Sequence, residues 1–290
     1  MVKLNKITAD LSAYIYVKLE SFNPGGSVKD RPALNMIKTA VDKGTLKPGG
    51  TIIEPSSGNT GIGLSMVAAA KNYNCIIVMP DSVSRERIKM LKAYGAEVHL
   101  TPADKLIQGA IDKATELAVN IDNSFIPDQF NNPANPEVHR KTTAQEILKQ
   151  MDYQLDAFVA TAGTGGTITG TGEELLKELP DLKIYTVEAK TSPVLAGGKP
   201  GSHNIPGTGP GFIPETLNTD IYYDIFHISE KEVINITRRL AEEEGLLLGP
   251  SSGAAVWAAL QVGQNMKQGQ KILAISADGG QKYLSDNYFN

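Results

Sequence analysis

A lysine next to a glycine-rich turn offers the clearest chemistry in this sequence. Lys29 follows the turn Asn-Pro-Gly-Gly-Ser at residues 23–27, which comes directly after a strand-like run at residues 15–20. A helical pattern over residues 32–43 comes next, so Lys29 is predicted to lie where a turn runs into a helix. An amine held there partly out of water loses preference for its charged form and can bond a carbonyl carbon. A lone lysine beside Asp30 is far more often a solvated surface residue, so chemistry at Lys29 requires partner residues elsewhere in the chain.

Three turns built from glycine and small hydroxyl residues are candidate partners. Each is predicted to follow a strand and to open a helix, where backbone N–H groups and the helix dipole attract anions. Residues 163–167, Gly-Thr-Gly-Gly-Thr, suit a phosphate because the glycines allow close backbone approach and Thr164 and Thr167 add hydroxyl groups. Residues 56–60, Ser-Ser-Gly-Asn-Thr, suit a carboxylate, and Ser251 at the third helix start offers one hydroxyl to a ring nitrogen. Each turn alone is equally well explained as a helix cap, but three of them at the carboxyl ends of parallel strands indicate a ligand site.

The elements that must position these turns alternate between short β-branched runs and longer helical runs. Strands are predicted at residues 51–54, 75–79, 97–100, 125–130, 156–161, 183–188 and 271–276. Helices are predicted at residues 84–94, 105–119 and 137–150, and after each of the three turns, with a further helix starting at a capping box over residues 229–232. A turn-rich cluster at residues 131–136 marks a candidate boundary between two lobes. Residues 191–214 form a long segment rich in glycine and proline, which is typical of a functional loop.

Composition narrows the classes of function. The 290 residues carry a formal net charge of −4, which gives no electrostatic case for binding nucleic acid or an anionic membrane. Four scattered histidines and a single cysteine have no metal-ligand spacing, so no metal site is predicted. Cys75 opens an apolar run and is interpreted as a buried thiol in a reducing cytoplasm. The N-terminus lacks the apolar core of a secretion signal, and no run approaches the length of a membrane span.

A dinucleotide-binding site is the main rival interpretation of the glycine-rich turns. Residues 58–63 read Gly-Asn-Thr-Gly-Ile-Gly, and Asp81 follows the next strand. The order of glycines differs from the G-x-G-x-x-G fingerprint, and no phosphate-binding lysine follows Gly166 as a P-loop would require. Both nucleotide motifs are therefore disfavoured.

Together these residues resemble the cysteine synthases (O-acetylserine sulfhydrylases) among the fold-type II pyridoxal-phosphate enzymes. The similarity runs end to end, and its most specific segments are residues 23–31, 57–61, 132–143, 163–167, 192–214 and 251–254. The resemblance implies an α/β fold of two three-layer αβα lobes with mostly parallel twisted sheets, as in the tryptophan synthase β-subunit. It also implies a smaller mobile lobe at residues 31–132 carrying the substrate carboxylate loop. A larger lobe, formed by residues 1–30 and 133–290, would carry the cofactor phosphate loop.

The resemblance implies that the cofactor is pyridoxal 5′-phosphate and that Lys29 is both its Schiff-base partner and the catalytic base. Asn59 would hydrogen-bond the phenolic oxygen, and Ser251 would face the pyridine nitrogen. The residues that would hold the phosphate are Gly163, Thr164, Gly165, Gly166 and Thr167. The residues that would bind the substrate carboxylate are Ser56, Ser57, Gly58, Thr60 and Gln129. Serine at the ring nitrogen, rather than a carboxylate, makes the ring a weaker electron sink, which favours β-elimination.

The implied reaction is a β-replacement that forms L-cysteine from O-acetyl-L-serine and sulfide through an α-aminoacrylate intermediate. One alternative is the condensation catalysed by cystathionine β-synthases, which use homocysteine; the segment at residues 192–214 and the lack of an extension after Asn290 favour the sulfhydrylase. A second alternative is a cofactor-loaded protein that binds the C-terminal tail of serine acetyltransferase. The sequence leaves open whether the leaving group is acetyl, phospho or hydroxyl. The resemblance also implies a homodimer, although family members usually have a longer N-terminal arm, which helps pack the dimer, before the position of Val2.

Overall fold

A computed structural model describes residues 1–289. The chain divides into two compact units, of which unit 1 contains residues 1–22 and the chain from residue 136 onward, and unit 2 is Asn23–Asn135. Unit 2 contains the lobe predicted at residues 31–132, whose mobility stays a prediction. No helix within residues 1–289 is long and apolar enough to cross a membrane.

The order of elements confirms the predicted α/β class. The strands are β1 (Val2–Lys3), β2 (Tyr14–Leu19), β3 (Thr51–Pro55), β4 (Asn74–Pro80), β5 (Glu97–Thr101), β6 (Ser124–Phe125), β7 (Ala157–Thr161), β8 (Lys183–Ala189), β9 (Asp224–Ile228) and β10 (Lys271–Ser276). The helices are α1 (Asp30–Asp42), α2 (Asn59–Lys71), α3 (Arg85–Ala93), α4 (Leu106–Asn120), α5 (Ala134–Val138), α6 (Ala144–Gln150), α7 (Gly166–Glu178), α8 (Glu230–Glu244) and α9 (Pro250–Gly263).

Unit 2 is built on a parallel sheet with the strand order β5-β4-β3-β6. Strands β3 and β4 are mostly apolar and are buried on both faces, as expected for parallel strands covered by helices, and Ile53 and Ile77 are fully buried. Helix α2 packs closely against the start of α1, because a Cβ at Gly63 would lie 3.1 Å from the Lys29 carbonyl oxygen and 3.1 Å from the Ala33 Cβ. Glycine at position 63 therefore sets the distance between the two helices that carry the predicted site residues of this unit.

Unit 1 is built on a six-stranded sheet with the order β1-β2-β10-β7-β8-β9, in which only the short β1 is antiparallel to its neighbour. The central strands β10 and β7 are almost fully buried, and α9, which is apolar on most of its surface, packs against both. The predicted capping box at the start of α8 is confirmed, because Ser229 Oγ accepts the Glu232 N–H while the Glu232 carboxylate accepts the Ser229 N–H.

Four sequence-based predictions need correction. The strand predicted at residues 125–130 is only β6, because the chain leaves the sheet after Phe125. The single helix predicted at residues 137–150 is α5 and α6 joined by one π-helical turn, His139–Thr143. The edge strand β9 was not predicted.

The layout predicted for the third turn is also wrong. Ser251 follows helix α8 rather than a strand, and residues 246–248 form only an isolated bridge between Leu248 and Gly279. Hydrogen bonds nevertheless tie this turn to the carboxyl end of β10. The Gly249 N–H donates to the Asp278 carbonyl at 3.1 Å. The start of α9 is therefore held at a sheet edge by tertiary contacts instead of by a preceding strand.

Candidate active site

Lys29 lies at the junction that the sequence predicts, on the residue before α1. Gly26 adopts φ +76°, which favours glycine, and its N–H closes the turn on the Asn23 carbonyl at 2.8 Å. The Asp30 carboxylate accepts the Gly25 N–H at 2.6 Å, so the residue next to Lys29 locks the turn. The Lys29 side chain is half-buried. These contacts fix the backbone of Lys29 while leaving its side chain partly exposed.

Asn59 lies on the same face of α2 as Gly63, which packs against the backbone of Lys29. It is the first residue of α2, and Gly63 lies four residues later, so both are on the same side of the helix. Because Gly63 abuts the Lys29 carbonyl oxygen, Asn59 lies on the face of α2 that packs against the start of α1.

The turn at residues 56–60 leads from β3 into α2. Ser56 Oγ accepts the N–H of Gly61 at 3.1 Å and that of Gly58 at 3.4 Å, so this hydroxyl caps the first turn of α2. The carbonyl of Ser57 accepts a hydrogen bond from Arg87 Nη1 at 3.2 Å. The turn is therefore held in shape by its own hydroxyl and by α3, and the positive end of the α2 dipole favours an anion there.

Gln129 is the predicted carboxylate ligand that comes from outside the turn. Thr60 Oγ1 donates to Gln129 Oε1 at 2.6 Å, and both residues are buried. The structure thus brings Gln129 to the turn across 69 residues of sequence. Asn135 Nδ2 donates to the Gln129 carbonyl at 2.9 Å, which fixes the backbone of Gln129 as well.

In unit 1, the predicted phosphate loop at residues 163–167 opens α7. Gly165 precedes the helix at φ +82°, which favours glycine. Thr164 and Thr167 are both buried, and Thr164 Oγ1 accepts the Gly166 N–H at 3.4 Å. The first N–H groups of α7 have no carbonyl partner within the helix. With two threonine hydroxyls beside them, they form a donor set that suits a phosphate dianion.

Ser251 lies near the same loop, and Gly207 connects the two. A Cβ at Gly163 would lie 2.4 Å from the Gly207 carbonyl oxygen, and a Cβ at Gly207 would lie 3.8 Å from Ser251 Oγ. Gly209 N–H also donates to the Ala162 carbonyl at 2.9 Å. The loop predicted at residues 191–214 therefore passes between the loop at residues 163–167 and the start of α9. Glycine is needed at position 163 because a Cβ there would overlap the Gly207 carbonyl oxygen, and at position 207 because its φ is +78°.

Two buried polar residues beside these loops were not predicted to be part of the site. His139 in the π-helical turn lies 2.9 Å from Thr143 Oγ1 through Nδ1 and 3.3 Å from Thr167 Oγ1 through Nε2, so it contacts the loop at residues 163–167. Glu54, near the end of β3, accepts the backbone N–H groups of Asp128 and Gln129. Glu54 could have been noticed in the sequence, because it is a charged residue at the end of an apolar strand. His139 lies inside a helical pattern and gave no comparable signal.

The chain is similar to known proteins over its full length. A family model described as "Pyridoxal-phosphate dependent enzyme" matches residues 1–278. A curated protein of Bacillus subtilis (strain 168), "Probable cysteine synthase", is 54% identical, with 100% of this chain and 94% of that protein covered.

Solved structures of similar proteins superpose on nearly the whole chain. The structure of an O-ureido-L-serine synthase superposes with a TM-score of 0.96 at 42% identity, covering 99% of this chain and 90% of the other. An O-acetylserine-dependent cystathionine β-synthase from Helicobacter pylori superposes with a TM-score of 0.93 at 39% identity, covering 100% and 95%.

Proposed function

Because the chain belongs to the cysteine synthase family of pyridoxal-phosphate-dependent enzymes, we propose that it makes L-cysteine from O-acetyl-L-serine and sulfide. The reaction replaces the acetoxy group on the β-carbon of the amino acid by a thiol group. The observation that carries the proposal is the 54% identity over the whole chain to a probable cysteine synthase. The turns at residues 56–60 and 163–167 support it, since one suits a carboxylate and the other a phosphate dianion.

The cofactor supplies the electron sink of this reaction: pyridoxal phosphate, when bound, acidifies the α-proton of the amino acid attached to it. We assign its phosphate to the N–H groups and hydroxyls at the start of α7, in residues 163–167. Ser251 would accept or donate one hydrogen bond at the ring nitrogen, and Asn59 would bond the phenolic oxygen. Glycine at positions 163 and 207 supports this assignment, because a bare backbone allows a ligand to approach closely.

Lys29 is assigned two tasks. Its Nζ atom would hold the aldehyde of the cofactor, and the same amine would accept the α-proton of the substrate and return it to the product. The locked turn before α1 supports this role, since the Gly25–Asp30 hydrogen bond fixes the point from which the side chain extends.

The substrate carboxylate is assigned to the turn at residues 56–60, with Gln129. Thr60 and Gln129 already share a hydrogen bond of 2.6 Å, so their positions are set before a substrate arrives. Ser56, Ser57 and Gly58 complete the turn at the positive end of the α2 dipole. Recognition of the carboxylate at this turn would exclude amines that lack one.

Steady-state assays with purified protein and added pyridoxal phosphate test the proposal. We expect cysteine to form from O-acetylserine and sulfide. Lys29→Ala should abolish turnover, whereas Lys38→Ala, which changes an exposed lysine of the same helix, should not. Parallel assays with homocysteine, and with O-phosphoserine and serine as donors, identify the nucleophile and the leaving group. Faster turnover with homocysteine than with sulfide would replace the proposal by a cystathionine β-synthase function, the activity for which the Helicobacter pylori neighbour is named.

We also infer that the protein is a cytoplasmic homodimer and that its carboxylate turn accepts the C-terminal tail of serine acetyltransferase. A peptide tail ends in a carboxylate, the group that the turn at residues 56–60 would recognise. Burial raises the pKa of the Cys75 thiol to about 11, so it stays protonated in a cytoplasm at neutral pH. Light scattering tests the dimer, cell fractionation tests the compartment, and a pull-down with the tail peptide tests the complex.

A further inference from the structure

A buried carboxyl group, that of Glu54, lies two residues before the turn at residues 56–60. Glu54 is 1% exposed and sits in β3, opposite Ile77 of β4. On its other side the sheet has ended, because β6 pairs with β3 only at Thr51 and Ile52. A glutamate in such a place requires hydrogen-bond partners, since burying an unpaired carboxyl is costly.

Those partners are two consecutive backbone groups of the segment that follows β6. The Asp128 N–H donates to Glu54 Oε2 at 3.0 Å, and the Gln129 N–H donates to Glu54 Oε1 at 3.4 Å. Asp128 has φ +52°, a conformation uncommon for residues other than glycine, and the carboxyl group stabilises it there. The two oxygens of one side chain thus replace the strand partners that residues 128 and 129 would otherwise need.

Gln129 is consequently held at three points. Glu54 holds its N–H, Asn135 holds its carbonyl at 2.9 Å, and Thr60 holds its side-chain oxygen at 2.6 Å. Only the first and second of these contacts fix the backbone, and Glu54 also fixes the residue before it. A shift of the segment at residues 128–129 would therefore move the Gln129 amide away from the turn at residues 56–60.

We propose that Glu54 is a positioning residue for the substrate carboxylate and acts through Gln129. The inference rests on the proposed function, because it takes the turn at residues 56–60 with Gln129 as the carboxylate site. Glu54 does not contact the substrate; it sets where the Gln129 amide lies relative to Thr60 before the substrate arrives.

The electrostatics of the site agree with this role. The pKa of Glu54 is raised to about 8, chiefly by burial and to a smaller extent by the nearby charge of Asp128, and the hydrogen bonds that the carboxyl accepts oppose this rise. Glu54 in turn raises the pKa of Cys75, the other titratable group that faces it. At neutral pH the carboxyl is therefore mostly protonated and needs no cation beside it, and each of its oxygens still has a lone pair that can accept the N–H group of residue 128 or 129.

The test compares a ligand that has a carboxylate with one that lacks it. Glu54→Gln keeps the size of the side chain but turns one acceptor oxygen into an NH₂ group facing a backbone N–H. With the pyridoxal-phosphate-loaded protein, titrations followed by visible absorbance measure binding of L-serine and of L-serine methyl ester. We expect about tenfold weaker binding of serine and less than a twofold change for the ester. Glu116→Gln, at an exposed glutamate of α4, should change neither. Equal weakening of both ligands, or of neither, would overturn the proposal.

A double-mutant cycle separates positioning from general destabilisation. If Glu54 acts through Gln129, Glu54→Gln should have no further effect on serine binding in a Gln129→Ala background. Additive losses would refute it. Should Glu54→Gln fail to fold, Glu54→Asp keeps the carboxyl with a shorter reach and should give the same difference between serine and ester. A wild-type protein that binds serine more tightly than its ester, yet does not turn over O-acetylserine, would contradict the proposed function and leave the role of Glu54 testable.

Discussion

Alanine at position 163 should cost the protein most of its affinity for pyridoxal phosphate. The added Cβ would lie 2.4 Å from the Gly207 carbonyl oxygen, where ordinary contact begins above 3.4 Å, so one of the two segments must move by about 1 Å. The hydrogen bond of 2.9 Å from the Gly209 N–H to the Ala162 carbonyl holds these segments together and resists that movement. Overpacking of this kind costs about 1–3 kcal/mol. If the loop adopts its ligand-binding shape only at that cost, the dissociation constant of the cofactor rises about 10- to 100-fold.

Titration of the cofactor-free protein with pyridoxal phosphate, followed by visible absorbance, measures this effect. Gly269→Ala is a matched control, because Gly269 also lies in unit 1 and has a positive φ of +85°, but its Cβ would meet no atom within 4 Å. We expect the control to lose some stability and to bind the cofactor normally. A Gly163→Ala protein whose dissociation constant stays within threefold of the wild type would refute the assignment of this loop to the phosphate.

Three further outcomes follow from single contacts. Thr60→Val keeps the shape of the side chain but removes the hydrogen bond of 2.6 Å to Gln129. The KM for O-acetylserine should therefore rise about tenfold while the KM for sulfide stays unchanged. Equal changes in both KM values would contradict a role of Thr60 in binding the substrate carboxylate. Ser229→Ala removes the cap that accepts the Glu232 N–H and costs about 1 kcal/mol, so it should lower Tm by about 2 °C in a thermal melt. An unchanged Tm would count against the capping box. The pKa of Glu54 is about 8 in the folded protein and 4.5 in the unfolded chain. Between pH 4.5 and pH 8 the folded protein therefore keeps a proton on Glu54 that the unfolded chain has released. The free energy of unfolding of the cofactor-free protein should therefore fall as pH rises from 4.5 to 8, by up to about 5 kcal/mol, and urea titrations of Glu54→Gln should lack this slope.

Several strands of both units could be predicted from sequence because their signals are local. The runs at residues 51–54, 75–79 and 271–276 are apolar and β-branched, and the structure has β3, β4 and β10 there. The capping box at Ser229 is equally local, since its hydrogen bonds lie within four residues. Where the residue types of the segment itself decide its structure, the prediction and the structure agree.

The errors occurred where a distant residue decides the local structure. Residues 125–130 have strand composition, but the backbone groups of residues 128 and 129 bond Glu54, which is 74 residues away for Asp128. The helix predicted at residues 137–150 contains a π-helical turn in which buried His139 reaches Thr167, 28 residues later. Neither partner is visible in the local pattern, so periodicity alone extends the strand and keeps the helix regular.

In both units a buried glutamate near the end of a strand accepts two consecutive backbone N–H groups of a loop. Glu188 at the end of β8 is buried like Glu54, and its carboxylate accepts the N–H groups of Leu195 and Ala196 at 2.8 and 3.1 Å. In each unit the predicted strand ends at the glutamate, a position where a charged side chain would ordinarily reach solvent. The structure shows the opposite reason for its presence: a carboxyl has two acceptor oxygens, and it can satisfy two consecutive backbone N–H groups of a segment that has no strand partner. A glutamate that ends an apolar parallel strand before a glycine-rich turn is therefore a sequence signal for an anchored loop, and it indicates which loops in this fold are fixed before a ligand binds.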